Sequence, residues 1–279
     1  MRRDGQTPLT RLGRGLAVLV LCAWSLGPIL LVVMNSFRLE REIFAPLTRF
    51  AFTPNLGNYR ALFSNYPGFL DNMANSLVVA IGATVLAVIT STLAGYVYSR
   101  RRGRLLAASA FFSILIRLIP PIVVSLPLFP MADWLGLSDT HTILIILYSS
   151  FWVSMLTIMM KTLIDQIPVS LDEAALVDGA GPWRVFLRII LPISTTGMIA
   201  GAVFVFVYAW NEYLFAFIFT TTRAVTAPLI VANIMDSVSG TEWGVLFAAA
   251  VLQLLPVLVL VTVARRFLVT GLMAGSVKG

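Results

Sequence analysis

The chain has 279 residues, 58% of them hydrophobic and only 12% charged, with a mean hydropathy of +0.90. A soluble domain carries about 25% charged residues and has no interior able to absorb this much apolar surface, so a water-soluble globule is excluded and lipid is the solvent. The net charge of +7 raises nucleic acid as a partner, which the placement of the charges argues against; one cysteine, Cys22, and one histidine, His141, exclude an intrachain disulfide and a cysteine-based metal site.

A spanning helix needs roughly 20 apolar residues, and six apolar segments follow one another along the chain. An arm over residues 1–15 carries Arg2, Arg3, Arg11 and Arg14 and leads into a first span over about 16–37. That run is too long for a signal-peptide core and no small-residue cleavage site follows it, so an uncleaved span is expected. The connection 38–70 holds Pro46, Pro54 and Pro67 with Phe50, Phe52, Tyr59, Phe63 and Tyr66. It fits either a structured cap or an interfacial segment with aromatics at headgroup level. The second span covers about 73–98. The third, about 105–131, is interrupted by Pro120, Pro121, Pro127 and Pro130 and carries Arg117 in its middle. The fourth, about 142–163, contains Tyr148, Ser149, Ser150 and Trp152. A polar connection over 165–189 leads to the fifth span, about 190–219, with Trp210-Asn211-Glu212-Tyr213 inside it. The sixth covers about 245–268, and residues 269–279 form a tail. The expected fold is therefore an all-α membrane protein with a six-span domain over 16–268.

The Lys and Arg residues alternate between connections. The arm has four, Arg100, Arg101, Arg102 and Arg104 follow the second span, Lys161, Arg184 and Arg188 follow the fourth, and Arg265, Arg266 and Lys278 close the chain. The intervening loops hold Arg38, Arg41, Arg49 and Arg60, then none around Asp133 to His141, then Arg223. Positive residues mark the cytoplasmic side. Both termini and the 165–189 connection are thus read as cytoplasmic, and the basic balance as a topology signal.

Within 165–189, Ser170 is a candidate N-cap with Glu173 three residues on, a capping box. Asp172 and Glu173 suit the positive end of a helix dipole. Ala174 and Ala175 keep the helix surface thin for close approach by another protein, and Gly179 permits a left-handed turn. A second short helix is expected from about Pro182 to Arg188, with Pro192 opening the fifth span. The plainer reading is an interfacial amphipathic hairpin.

A charge at the bilayer centre costs about 2.5–3.5 kcal/mol on insertion scales, and a helix-interior proline about 3 kcal/mol. The third span should therefore face protein or a water-filled cavity. Arg117 is either a pathway residue or a structural group paired with Glu212 or with carbonyls freed by the prolines. Glu212, Asn211, Trp210, Tyr148 and Trp152 combine flat apolar rings with polar groups, which suits a sugar. Ordinary helix packing accounts for them equally simply.

Three motifs carry a family resemblance. Glu173-Ala174-Ala175, then Gly179, then Ile189-Ile190-Leu191-Pro192 resembles the cytoplasmic coupling loop of ABC importer permeases. Trp210-Asn211-Glu212 is similar to a W-N-E/D segment of the carbohydrate branch. Gly271-Leu272-Met273-Ala274-Gly275-Ser276-Val277-Lys278-Gly279 resembles that branch's G-L-x-x-G-x-V-K-G terminus. The chain thus resembles the permease of a carbohydrate ABC importer of the maltose G-type, over nearly its whole length. The resemblance implies a type I ABC importer permease fold in the bacterial inner membrane. It implies a second homologous permease, two ATP-binding subunits that hold the ATP and Mg, and an extracytoplasmic sugar-binding protein. It implies that Glu173, Ala174, Ala175, Asp178, Gly179, Ile189, Leu191 and Pro192 couple to an ATPase, and that Gly275, Ser276, Val277, Lys278 and Gly279 reach the ATPase dimer. No phosphate-binding loop of the G-x-x-x-x-G-K-[ST] type occurs here, in keeping with a chain that is not itself an enzyme and has no cofactor of its own. The rivals are a permease for a polyamine or phosphonate and an ion-coupled transporter. For the latter, Glu212 is the one acidic residue well inside a span. A membrane enzyme lacks support, because no metal-ligand cluster, nucleophile motif or paired carboxylates occur.

Overall fold

A computed structural model describes residues 8–44, 52–236 and 240–274. All regular structure among them is helical: α1 (Pro8–Ser36), α2 (Glu40–Ile43), α3 (Gly57–Asn65), α4 (Phe69–Arg100), α5 (Arg104–Ile116), α6 (Pro121–Trp134), α7 (His141–Ile164), α8 (Val169–Val177), α9 (Pro182–Val185), α10 (Leu191–Trp210), α11 (Leu214–Phe219), α12 (Ala227–Met235) and α13 (Trp243–Ala274). Lipid offers no partner for a bare amide or carbonyl, so spans must satisfy their backbone internally, which helices do. Five segments are long and apolar enough to cross a membrane: Leu12–Ser36, Phe69–Arg100, His141–Ile164, Pro182–Trp210 and Trp243–Arg265.

The sixth apolar segment is α5 and α6 together, bent by 98°. The break falls at Arg117–Pro120, because proline lacks an N–H and drives the residue before it out of the helical region. The last turn of α5 tightens, with Arg117, Leu118 and Ile119 donating to the carbonyls three residues back. Pro127 and Pro130, expected to break the span as well, lie inside α6.

The fold divides into two units. One comprises residues 1–69 and 231–254. There the described part of the 38–70 connection is structured: Asn58 donates from Nδ2 to the carbonyls of Ser36 and Arg38, at 2.9 and 2.8 Å. Glu40 accepts from the backbone of Trp243 and Gly244, capping the start of α13. The other unit comprises residues 70–230 and 255–279. One core cluster joins Val79, Ala80 and Ala83 of α4, Leu144 and Tyr148 of α7, Trp210 of α10 and Phe215 of α11. A second joins Ala87, Leu156, Met160, Ile164, Val185, Phe186 and Ile190. α4 and α7 approach closely at Gly95, where a Cβ would stand 2.9 Å from the Lys161 amide nitrogen. Small residues permit such contacts where no hydrophobic effect drives helices together.

Candidate functional site

The connection between α7 and α10 is built from its backbone outward. Pro168 keeps Ile167 out of the helical region, so the chain breaks there and α8 starts at Val169 with Pro168 as N-cap. This corrects the expected capping box: Ser170 already lies in the first turn and α8 has no side-chain cap. Glu173 is consequently not spent on a cap, and its exposed side chain makes no hydrogen bond or ion pair with the described residues.

α8 turns opposite faces to protein and to surroundings. Asp172 is buried, 6% exposed, and accepts from Arg100 Nε at 2.8 Å. Arg100 also donates to the carbonyls of Ile164 and Ile167, at 3.2 and 3.0 Å. One guanidinium thus ties the end of α4 to the end of α7 and to α8. Ala175 packs against the second core cluster, while Glu173, Ala174, Leu176, Val177 and Asp178 are exposed, Val177 by 87%. The helix ends as the glycine suggested. Gly179 has φ of +79°, its N–H donates to Leu176 O, and the Ala180 N–H donates to Ala175 O. Those two bonds make a Schellman closure.

The expected second short helix is not a separate element. α9 begins at Pro182 and runs through a π turn, Phe186–Ile190, directly into α10. Pro192 supplies no N–H and crowds the preceding turn. The register widens there, with Leu191 N–H reaching Phe186 O. Ile189 and Leu191 pack partly buried against the second cluster, and Pro192 is exposed.

A cavity of about 300 Å³ lies between α4, α5, α6 and α7, with Arg117, Ser113, Ser150, Phe151, Ser154 and Thr157 among its lining residues. Arg117 sits at the α5–α6 break. Its guanidinium lies 4.9 Å from the Phe151 ring centroid and 4.5 Å from that of Trp152. Trp152 in turn stacks on Tyr208 at 4.1 Å. A cation–π contact contributes about 0.5–2 kcal/mol, so two of them are of the size needed to hold a charge within a span.

The proposed Arg117–Glu212 pair does not form. Among the described residues the ion pairs are Arg100–Asp172 and Lys161–Asp165. Glu212 accepts instead from the amides of Phe215 and Ala216, capping α11. Asn211 is exposed and donates to Val207 O at 2.7 Å, closing α10. The fifth span, expected to run unbroken to Phe219, is therefore interrupted at Asn211–Tyr213, where two polar side chains satisfy the backbone on either side. Trp210 is 1% exposed and stacked on Phe206. Tyr148 is buried in the same cluster, with its hydroxyl beside the Glu212 carboxylate. Of the six predicted pathway residues, Arg117 lines the cavity and Trp152 supports it. Gly275, Ser276, Val277, Lys278 and Gly279 lie outside the described residues.

Sequence reasoning missed the Arg100–Asp172 anchor. Arg100 reads as one of four topology-setting positives and Asp172 as a helix-dipole acid; a separation of 72 residues carries no local signal of their contact.

The family model for the binding-protein-dependent transport system inner membrane component matches residues 83–273. The chain is similar to the probable ABC transporter permease protein y4oR of Sinorhizobium fredii, with 36% identity over 256 residues, 91% of this chain and 90% of that one. It is similar to the trehalose transport system permease protein SugB of Mycobacterium tuberculosis, with 34% identity over 232 residues, 81% of this chain and 83% of that one. Its backbone matches a chain of a bacterial ABC transporter involved in the import of the acidic polysaccharide alginate. The TM-score is 0.77 at 18% identity, covering 95% of this chain and 99% of that one. At that identity the likeness concerns the fold alone.

Proposed function

The chain belongs to the family of binding-protein-dependent transport system inner membrane components, and from that premise we propose that its cargo is a carbohydrate and that α8 receives the stroke of separate ATP-hydrolysing subunits. It is a multi-pass permease of an ABC importer and not itself the catalyst. The observation that supports the coupling role is the construction of α8. It is held to two spans by a buried ion pair on one face, and its other face presents Glu173, Ala174, Val177 and Asp178 with no partner in the described structure. A helix rigidly tied on one side and bare on the other passes a push to the spans it is tied to. Gly179 turns the chain back, and α9 with its π turn carries Ile189, Leu191 and Pro192 straight into α10. A displacement of this loop therefore moves α4, α7 and α10 together as a rigid body.

The carbohydrate reading is supported by the named cargo of the trehalose relative and by the Trp210-Asn211-Glu212 and C-terminal motifs. In this reading the chain forms half of a pathway with a second homologous permease and stands on two ATP-binding subunits. A binding protein delivers sugar from outside, and Gly275–Gly279 reach the ATPase dimer. Both termini and the 165–189 loop face the cytoplasm, and residues 16–268 form the membrane domain. Arg117 and Trp152 line or support the pathway, while Tyr148, Trp210, Asn211 and Glu212 shape it from behind.

The test is uptake by proteoliposomes holding the complete transporter and its binding protein, using labelled trehalose, maltose and glucuronate with labelled spermidine as the non-sugar control. We expect sugar uptake to require ATP and to ignore an uncoupler. Glu173→Lys and Gly179→Val should each lower it at least tenfold at equal abundance. A Cβ at Gly179 meets no atom within 4 Å, so that loss would report backbone geometry. Wild-type uptake in both variants overturns the coupling role, and uptake of spermidine alone overturns the sugar.

A further inference from the structure

We propose that the cavity at the α5–α6 break selects a negatively charged carbohydrate, one bearing a carboxylate, sulfonate or phosphate, through Arg117. This deepens the carbohydrate reading and rests on it. Arg117 is the single formal charge among the residues lining the cavity, and no Asp, Glu, Asn or Gln lines it. The rings of Phe151 and Trp152 engage the guanidinium. No carboxylate of the described residues is in salt-bridge reach, and the N–H groups make no hydrogen bond with the described residues. Glu212 is committed to the amides of α11.

A second group points into the same space. Ser154 is 92% buried, lines the cavity, and its Oγ has no hydrogen-bond partner. Beside it Ser150 and Thr157 complete a row of hydroxyls on α7. A neutral sugar needs acceptors for its hydroxyl protons, which pockets supply with carboxylates and amides. This lining supplies a fixed cation and the hydroxyls of Tyr98, Ser113, Ser150, Ser154 and Thr157, with no carboxylate or amide side chain. A partly buried cation with no carboxylate partner among the described residues favours an anion and discriminates against a neutral analogue that leaves it unpaired. The guanidinium's planar N–H edge suits bidentate contact with a carboxylate or phosphate, and the hydroxyls suit the rest of the ring.

The experiment measures equilibrium binding of labelled glucuronate, glucose 6-phosphate and maltose to the complete purified transporter in phosphatidylcholine nanodiscs. Wild type, Arg117→Gln and Arg117→Lys are compared, with subunit assembly checked by gel filtration. We expect one or both charged sugars to bind at least tenfold more tightly than maltose, with a preference that shrinks as salt rises. Arg117→Gln should remove the preference and Arg117→Lys should keep part of it. Equal or tighter binding of maltose, unchanged by Arg117→Gln, overturns the charge selectivity and leaves the carbohydrate reading intact. No binding of any of the three sugars overturns both. Loss of assembly in both variants assigns Arg117 to an ion pair with another subunit and overturns the proposal. So does abolition of sugar-anion binding by phosphatidylglycerol discs, which assigns the site to a lipid headgroup.

Discussion

Asp139 illustrates how one side chain holds an end of the fold. It sits between α6 and α7 with φ of 56°, a left-handed conformation that Asp tolerates better than most residues. Its own N–H donates to Phe219 O at 2.9 Å. Its carboxylate accepts from the successive amides of Thr221, Thr222, Arg223 and Ala224 and from both threonine hydroxyls. Burial alone would raise the carboxyl pKa, but these donors outweigh it and hold the group well below the usual carboxylate range. A folded pKa below the unfolded one stabilises the fold above the ordinary carboxylate value of about 4, and the contribution declines as pH falls below it. The difference in melting temperature between wild type and Asp139→Asn should therefore be largest near neutral pH and shrink towards pH 3. A difference independent of pH would contradict the charge-based account.

At the scale of elements, α8 owes its position to a contact its own sequence does not announce. Nine residues form too short a helix to be stable alone, and most of this one's side chains face outward. The Arg100–Asp172 pair, with both side chains about nine-tenths buried, and the two carbonyls that share Arg100 supply the tether. Removing one member of such a pair costs about 3–5 kcal/mol, because the other charge stays buried without a partner. Asp172→Ala should raise hydrogen exchange at α8 amides at least tenfold and leave the middle of α4 protected. Adding Arg100→Ala to Asp172→Ala should cost less than the two single losses combined. Strictly additive losses would show that the pair does not hold the helix. Interruptions elsewhere follow the same economy of backbone groups: prolines break α5 from α6, and Asn211 and Glu212 cap the two ends they separate.

For the molecule as a whole, the placement of charge gives a testable expectation for orientation in the membrane. Fourteen of the twenty Lys and Arg residues fall in alternate connections, a bias that predicts α8 on the cytoplasmic side and the end of α6 outside. Cys22 is the single cysteine and is exposed, so Cys22→Ser gives a clean background. In that background Val177→Cys should react with a membrane-impermeant maleimide only in inverted vesicles, and Trp134→Cys only in spheroplasts; both parent side chains are more than four-fifths exposed. The reverse pattern would invert the topology and place α8 out of reach of any ATPase.

Composition, charge placement and the E-A-A to Pro192 spacing determined by themselves that the chain is helical, spans a membrane several times and carries a glycine-ended helix between the fourth and fifth spans. Those features depend on local chemistry: the transfer of apolar residues into lipid, the left-handed turn at Gly179, and the missing N–H of proline. Only the tertiary structure decided that Arg100 meets Asp172, that Arg117 rests on Phe151 and Trp152 and not on Glu212, and that α9 flows through a π turn into α10. In a chain whose helices are apolar on every side, periodicity does not reveal which face meets protein and which meets lipid. Contacts between residues far apart in sequence exist only once the helices have packed and set their rotation and height against one another.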